Sequence, residues 1–372
     1  MKILYDHQTF SLQKYGGISR YFYELYSHLL TIDTIHPEIS VLYSENSYYQ
    51  ELFHQKLLLP DQKTLGKYLN FGKNIVIYKI NEYNCKKQIR SGNFDILHPT
   101  YYNPYFQKKL KTQPYVLTVY DMIHELFPDM FKRRDNTAIQ KKSVIECAAK
   151  IIAISDNTKF DIIRFYDIDP KKIEVIPLAT SLQKHTPDSS LNLPQKYILF
   201  VGSRGAYKNF TFFINSVSSL LSEKKELCLI CAGGGVFSDD ELRMLNALKI
   251  KKKVIHYTIA NDSILSQLYR KAILFVFPSL YEGFGIPMLE AFSCGCPVAA
   301  SNCSSLPEVG GDAAIYFDPN NSDSIKKIVE DIVQNNTLQD SLRIRGYQRL
   351  KLFSWEKTAM DTKKVYENLL SQ

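Results

Sequence analysis

Long hydrophobic runs are the first thing missing from this chain of 372 residues. No apolar stretch approaches the roughly eighteen residues that span a bilayer, which excludes a membrane-spanning helix. The opening Met1-Lys-Ile-Leu-Tyr-Asp6 passes quickly into Gly- and Tyr-containing sequence, so it reads as a first strand and not as a secretory leader, and the expected location is the cytoplasm. Cysteine is scarce and odd in number: the seven thiols follow no framework spacing, which excludes a disulfide-stapled fold and points to reduced side chains. Cys228-Leu-Ile-Cys231 resembles a metal pair, but it lies in the apolar run Leu227 to Ala232, where strand alternation sends the two sulfurs to opposite faces. Cys294, Cys296 and Cys303 flank a turn at Gly295 and read as small buried residues. Repeats of solenoid length are absent. The formal charge is +8, yet the clusters Lys108-Lys109, Lys132-Arg133-Arg134, Lys141-Lys142 and Lys171-Lys172 do not interleave with aromatics, which excludes a nucleic-acid platform. Attraction to an anionic membrane surface, a peripheral contact, stays open for them.

What is present is ordinary globular sequence, 45% apolar and 23% charged, long enough for two domains. Strand-length apolar runs alternate with helical patterns, the pattern of an α/β fold with parallel sheets. The chain is organised around Pro278-Ser-Leu-Tyr-Glu282-Gly-Phe-Gly-Ile-Pro287-Met-Leu-Glu290. Before it, Ala272 to Phe277 is continuously apolar, as a strand buried on both faces requires. Gly283 and Gly285 permit a sharp turn, and Pro287 suits the first turn of a helix starting near Ile286. Glu282 then lies in a loop and Glu290 one turn inside the helix, two acceptor-only carboxylates suited to hydroxyl-rich ligands. Asp167-Ile-Asp169 matches a cation-binding pattern, but it precedes Pro170 and a strand and reads as a helix-to-strand turn.

The Glu282-to-Glu290 segment resembles the Glu-x7-Glu motif of retaining, nucleotide-sugar-dependent glycosyltransferases of family 4, and the resemblance covers nearly the whole chain. It implies the GT-B fold: two facing Rossmann-like domains with parallel sheets and a cleft between them. The implied acceptor domain spans 1–185, with a last helix at about 356–372 crossing back, and the nucleotide-sugar domain spans 186–355, after a polar linker from Thr180 to Pro194. By the same resemblance Glu282 hydrogen-bonds the transferred sugar, Glu290 holds the ribose hydroxyls, and backbone amides of Gly283, Phe284, Gly285 and Ile286 meet the sugar.

The remaining implied contacts follow in chain order. A strand at Lys2 to Tyr5 leads through a loop, Asp6 to Tyr15, to Gly16-Gly17, beside the donor phosphates, and then to a helix at Ile18 to Leu30. A second strand is expected at Glu38 to Tyr43, and Pro99 to Pro104 could meet an acceptor. The strand Pro114 to Tyr120 ends at Asp121 and His124, with Tyr120 where many family members carry the His of a His-Asp pair. Asp121 and His124 are three residues apart and share a face if the loop turns helical, which would place His124 to orient the sugar or acceptor, with proton transfer open to it. Ser155 caps the helix that follows and, with Lys159, resembles the family's Ser-x3-Lys stretch. After the strand Lys196 to Val201, Arg204 and Lys208-Asn209 are implied to hold the donor diphosphate, although the Arg-to-Lys interval is four where the family has about five. Gly233 to Gly235 would line the nucleotide site, and Thr258 to Asn261, Ile259 among them, would meet the base.

The expected activity is retaining transfer of a hexose from a nucleoside diphosphate sugar to a sugar or lipid-linked glycan hydroxyl. His124, Asp121, Glu282, Lys208 and Arg204 form the catalytic group; no metal or other cofactor is expected, and no protein nucleophile. The run from Ser304 to Asp318 resembles mannosyltransferases of bacterial surface-polysaccharide assembly and favours GDP-mannose, with UDP- and dTDP-sugars open. Two other readings are a nucleotide-sugar epimerase of the same architecture, which would release a free sugar epimer without acceptor, and a catalytically silent sugar-nucleotide-binding subunit, which would bind donor without turnover.

Overall fold

The computed structural model describes residues 1–53, 67–182, 191–259 and 261–371. Pro187, Ser189 and Ser190 of the expected linker, and Ala260 of the expected base contact, lie outside them. The chain divides into two compact units, Met1–Leu178 with Trp355–Gln372, and Ala179–Ser354. The division therefore falls ahead of position 185, and Trp355 already belongs to the first unit.

Within the first unit, Lys2–Tyr5 lies between His36–Ile39 and Ile96–His98, and Lys150–Ala153 lies between Val116–Val119 and Ile173–Val175, all in parallel pairs. A bridge from Leu97 to Tyr115 links the two groups. The second strand is His36–Ile39 and not Glu38 to Tyr43, because its pairing with Lys2–Tyr5 starts at Lys2 opposite His36 and ends at Ile39. The expected loop after Tyr5 contains a helix, Gln8–Leu12. Its cause is tertiary: buried Asp6 accepts from the Gln8 amide and side chain and from the Thr100 amide and hydroxyl, which folds a polar segment inward. The last helix, Trp355–Leu370, packs on the helix Gly17–Leu29, and its Tyr366 hydroxyl sits 3.1 Å from that of Tyr5 and 2.6 Å from Nδ1 of buried His98. Asp167 (φ 50°) closes the helix Asp156–Tyr166, and Asp169 caps the next turn through the Lys171 amide, as a helix-to-strand turn requires.

The second unit is a six-stranded parallel sheet in the order Ala314–Phe317, Val298–Ser301, Leu274–Phe277, Lys196–Val201, Leu227–Ala232, Val254–Tyr257. Leu274–Phe277 is buried at every position because helices cover both faces. Phe213, Val217, Leu229, Val276 and Val329 meet in one apolar core, which also takes Cys231; Cys228, of opposite parity, is only half-buried. The strand order reverses between Lys196–Val201 and Leu274–Phe277, the topological switch point at which open α/β sheets bind ligands outside the strand carboxyl ends.

Candidate active site

The two loops that leave this switch point carry Lys208 and Glu282. Lys208 ends a single helical turn, Ala206–Lys208, after Lys196–Val201, and Glu282 lies between Leu274–Phe277 and the helix Ile286–Ser293. The Leu280 amide donates to the Tyr207 carbonyl at 2.8 Å, which ties the loops together, and Lys208 Nζ lies 2.5 Å from Glu282 Oε1. Both side chains are largely but not wholly buried, so the pair keeps an approach from solvent. The Phe277 and Tyr207 rings lie within 5.4 Å and 5.2 Å of the ammonium.

The Glu282 loop is held by two serines that the motif does not include. The Glu282 amide donates to Ser304 Oγ at 3.0 Å, and Ser305 Oγ donates to the carbonyls of Glu282 and Phe284, both at 2.8 Å. Gly285 has φ 114°, and a Cβ there would meet Leu306 Cδ2 at 3.0 Å, so the turn into the helix requires glycine. The Phe284 ring packs edge-on against Phe353, leaving its backbone to shape the turn. Glu290 is only 9% exposed and accepts from the Tyr269 hydroxyl at 3.1 Å. It is thus no solvated surface acid, and Tyr269 is a partner that helical spacing alone does not reveal.

Arg204 and Asn209 are each held by partners within the protein. Arg204 Nε donates to Glu241 Oε1 at 2.6 Å, Nη1 to the Gly233 carbonyl at 3.0 Å, and Nη2 to the carbonyls of Gly235 and Val236 at 2.9 Å and 3.0 Å. The guanidinium is therefore a clamp on the glycine loop, with Phe237 beneath it. Burial alone would raise the Glu241 carboxyl; the hydrogen bonds from Arg204 and Ser238 bring it below its ordinary range instead. Gly234 (φ 70°) is obligatory here, since a Cβ would lie 2.8 Å from the Gly202 carbonyl oxygen. Ile259 stands next to this loop, its Cδ1 3.5 Å from where a Gly233 Cβ would be. Asn209 adopts a left-handed conformation (φ 58°) and gives its amide to the Pro319 carbonyl at 2.8 Å.

In the first unit, Gly16 caps the helix Gly17–Leu29, and a side chain at Gly16 would collide with Gln13. The segment after Asp121 does turn helical, at Ile123–Leu126, but Asp121 and His124 do not pair. Asp121 accepts from the Ile123 amide at 3.0 Å and lies 3.7 Å from Lys141 Nζ. His124 instead stacks on Phe131 at 3.9 Å, with Nε2 3.9 Å from Asp135 Oδ2 and a buried Nδ1 that has no partner among the described residues. Burial and then the Lys141 charge lower the His124 pKa, so the ring is neutral at pH 7. Lys141 is wholly buried, giving its ammonium to the Asp121 carbonyl and Glu125 carboxylate, both at 2.9 Å, so it adds nothing to a basic surface. Lys159 donates to the Ile173 carbonyl at 2.9 Å and holds a strand. Tyr120 is buried, and its hydroxyl has no hydrogen-bond partner among the described residues.

The family profiles matched by both units, and the fold shared with solved structures, identify a glycosyltransferase of the GT-B fold. The chain belongs to the family 4, or group 1, glycosyltransferases: residues 15–184 match the profile described as Glycosyltransferase Family 4, and residues 183–349 that described as Glycosyl transferases group 1. It is 28% identical over 380 aligned positions to O-antigen chain mannosyltransferase B of Escherichia coli, covering 95% of this chain and 96% of that protein. Solved structures share the fold. The sucrose-phosphate synthase of Thermosynechococcus elongatus superposes with TM-score 0.74 at 18% identity, covering 100% of this chain and 99% of that one. Anabaena Alr3699/HepE, solved with UDP and glucose, superposes with TM-score 0.73 at 16% identity, covering 99% of both chains.

Proposed function

We propose that the protein transfers mannose from GDP-mannose to a sugar or lipid-linked glycan hydroxyl, with retention of anomeric configuration and without a metal ion. The observation that carries this reading is the Lys208–Glu282 pair at the sheet's switch point, with buried Glu290 in the helix that follows the Glu282 loop. The likeness to an O-antigen mannosyltransferase over nearly the whole chain supports mannose as the sugar. Departure of a nucleoside diphosphate develops charge on its phosphate oxygens. Lys208 is the cation for that charge, and one such preorganised group is worth about 2.7–4 kcal/mol in water-excluded surroundings. Glu282 takes the sugar hydroxyls and Glu290 the ribose. Arg204 is a positioning residue that shapes the Gly233–Val236 wall of the nucleotide site, with Ile259 beside it. The first unit takes the acceptor, with neutral His124 as a polar contact.

The test is transfer from GDP-mannose to a lipid-linked glycan fraction in EDTA, with the product examined by NMR. An α-mannosyl product formed in chelator supports the reading. A β linkage, transfer from UDP-sugars alone, or activity restored only by a divalent cation would each overturn its corresponding part.

A further inference from the structure

The helix Lys67–Ser91 has a buried face and an opposite apolar face that, among the described residues, is left exposed. At 100° per residue, Asn81, Cys85 and Ile89 form one face, and all three are fully buried. The opposite face carries Val76, Ile80, Tyr83 and Lys87, and there Val76 is 55% and Tyr83 72% exposed. Inward-facing Asn81 also fixes the neighbouring segment: its Oδ1 accepts from the amides of Leu42 and Tyr43, and its Nδ2 donates to the Tyr43 carbonyl. Leu42 is thereby held at the surface beside the helix, and with Val76, Ile80 and Tyr83 it lines one shallow apolar depression of about 400 Å³, rimmed by Lys79 and Lys87. The acid on the adjacent turn, Glu82, is paired with Lys86, so the rim stays positive.

We propose that this face docks on an anionic lipid bilayer. An exposed apolar patch of this kind marks an interaction surface, and the pattern here is that of interfacial binding: aliphatic residues at the centre, a tyrosine with an apolar body and polar tip, and two exposed lysines at the rim, a residue type whose stem can cover apolar surface while its charge stays in water. A second copy of the chain would set lysine against lysine across a two-fold interface, whereas an anionic leaflet complements them. The proposal deepens the lipid-linked acceptor reading, yet it stands apart in the test, because plain vesicles contain no acceptor. It also replaces Lys141-Lys142 as a basis for membrane contact, Lys141 being buried.

The experiment is flotation of the full chain with phosphatidylcholine vesicles, with and without about a third phosphatidylglycerol, against two variants, Val76→Glu/Tyr83→Glu and Lys79→Gln/Lys87→Gln. Wild type should float with anionic vesicles at least tenfold more than with neutral ones. The lysine variant should lose about twenty-five-fold, near fivefold for each of its two basic residues, together with most of the salt dependence. The apolar variant should lose at least as much. Both exchange exposed residues and should keep the wild-type thermal shift with GDP, which tests the nucleotide reading separately. No flotation of wild type, equal flotation of all three proteins, or a concentration-dependent dimer abolished by Val76→Glu/Tyr83→Glu would overturn the proposal.

Discussion

Lys208 Nζ stands 2.5 Å from Glu282 Oε1, although the two residues are on different loops 74 positions apart. The pair joins the two strands that flank the switch point, so each member sets the other's position. Lys208→Ala should lower turnover by roughly 10²–10³, the loss seen when one preorganised charge-stabilising group is removed. Glu282→Gln should also reduce turnover, and the double variant should lose less than the two single effects combined, because the groups are in contact. Steady-state kinetics on the four proteins check this; near-wild-type turnover in Lys208→Ala would remove Lys208 from the reaction.

Glu290 separates binding from chemistry. If it holds the ribose, which is bound alike before and during transfer, Glu290→Ala should raise the donor KM with turnover little changed. The buried Tyr269 hydroxyl would lose its carboxylate, so the variant should also melt at lower temperature, by an amount reflecting about 1–3 kcal/mol. Tyr269→Phe should show a smaller rise in KM. A collapsed turnover with unchanged KM would contradict the assignment.

These geometries were legible in the sequence to different degrees. The strand Leu274–Phe277 and the helix start at Ile286 follow from a continuous apolar run and from the Gly285 and Pro287 positions, which are local chemistry. Ser155 as a cap is likewise local, its hydroxyl accepting from the Thr158 amide. The helix Gln8–Leu12 was not legible, since its cause is the long-range capture of Gln8 and Thr100 by Asp6. The helix Lys67–Ser91 was missed because apolar residues on two faces leave no single stripe to find. Arg204 lies in the expected loop after Lys196–Val201, but its hydrogen bonds to Glu241 and the glycine carbonyls depend on contacts that only the folded sheet creates.

Arg204 therefore gives a prediction unlike that for Lys208. Arg204→Ala should lower the melting temperature and weaken nucleotide binding, because the carbonyls of Gly233, Gly235 and Val236 lose their shared donor and Glu241 its partner. Arg204→Lys should recover little, since an ammonium cannot span the guanidinium's separate acceptors. Thermal melts and nucleotide titrations measure both effects. A pure fall in turnover, with stability and affinity intact, would return Arg204 to the leaving group.

His98 sets an acid limit on folding. It is fully buried, with Nδ1 2.6 Å from the Tyr366 hydroxyl and Nε2 2.9 Å from Thr118 Oγ1, and burial pushes its pKa down to about 3. The unfolded chain binds this proton near pH 6.5 and the folded chain does not, so the contribution is full above pH 6.5 and is lost as pH falls. The slope is about 1.4 kcal/mol per pH unit, or roughly 2 kcal/mol by pH 5. Denaturant unfolding of wild type and His98→Gln at pH 7.5 and 5 should show the variant less stable at pH 7.5 but losing less on acidification. Parallel losses would assign the acid sensitivity to other groups.

The central claim, a nucleotide-sugar site built on the Lys208–Glu282 pair, is tested most directly by thermal shift of wild type and Lys208→Ala with GDP, UDP, dTDP, ADP and CDP. A nucleotide at one hundred times its Kd adds about 2.7 kcal/mol of stability, a readily measured rise in Tm. The account predicts the largest rise with GDP in wild type and a clearly smaller one in Lys208→Ala. No rise with any of the five, or equal rises in both proteins, would contradict it.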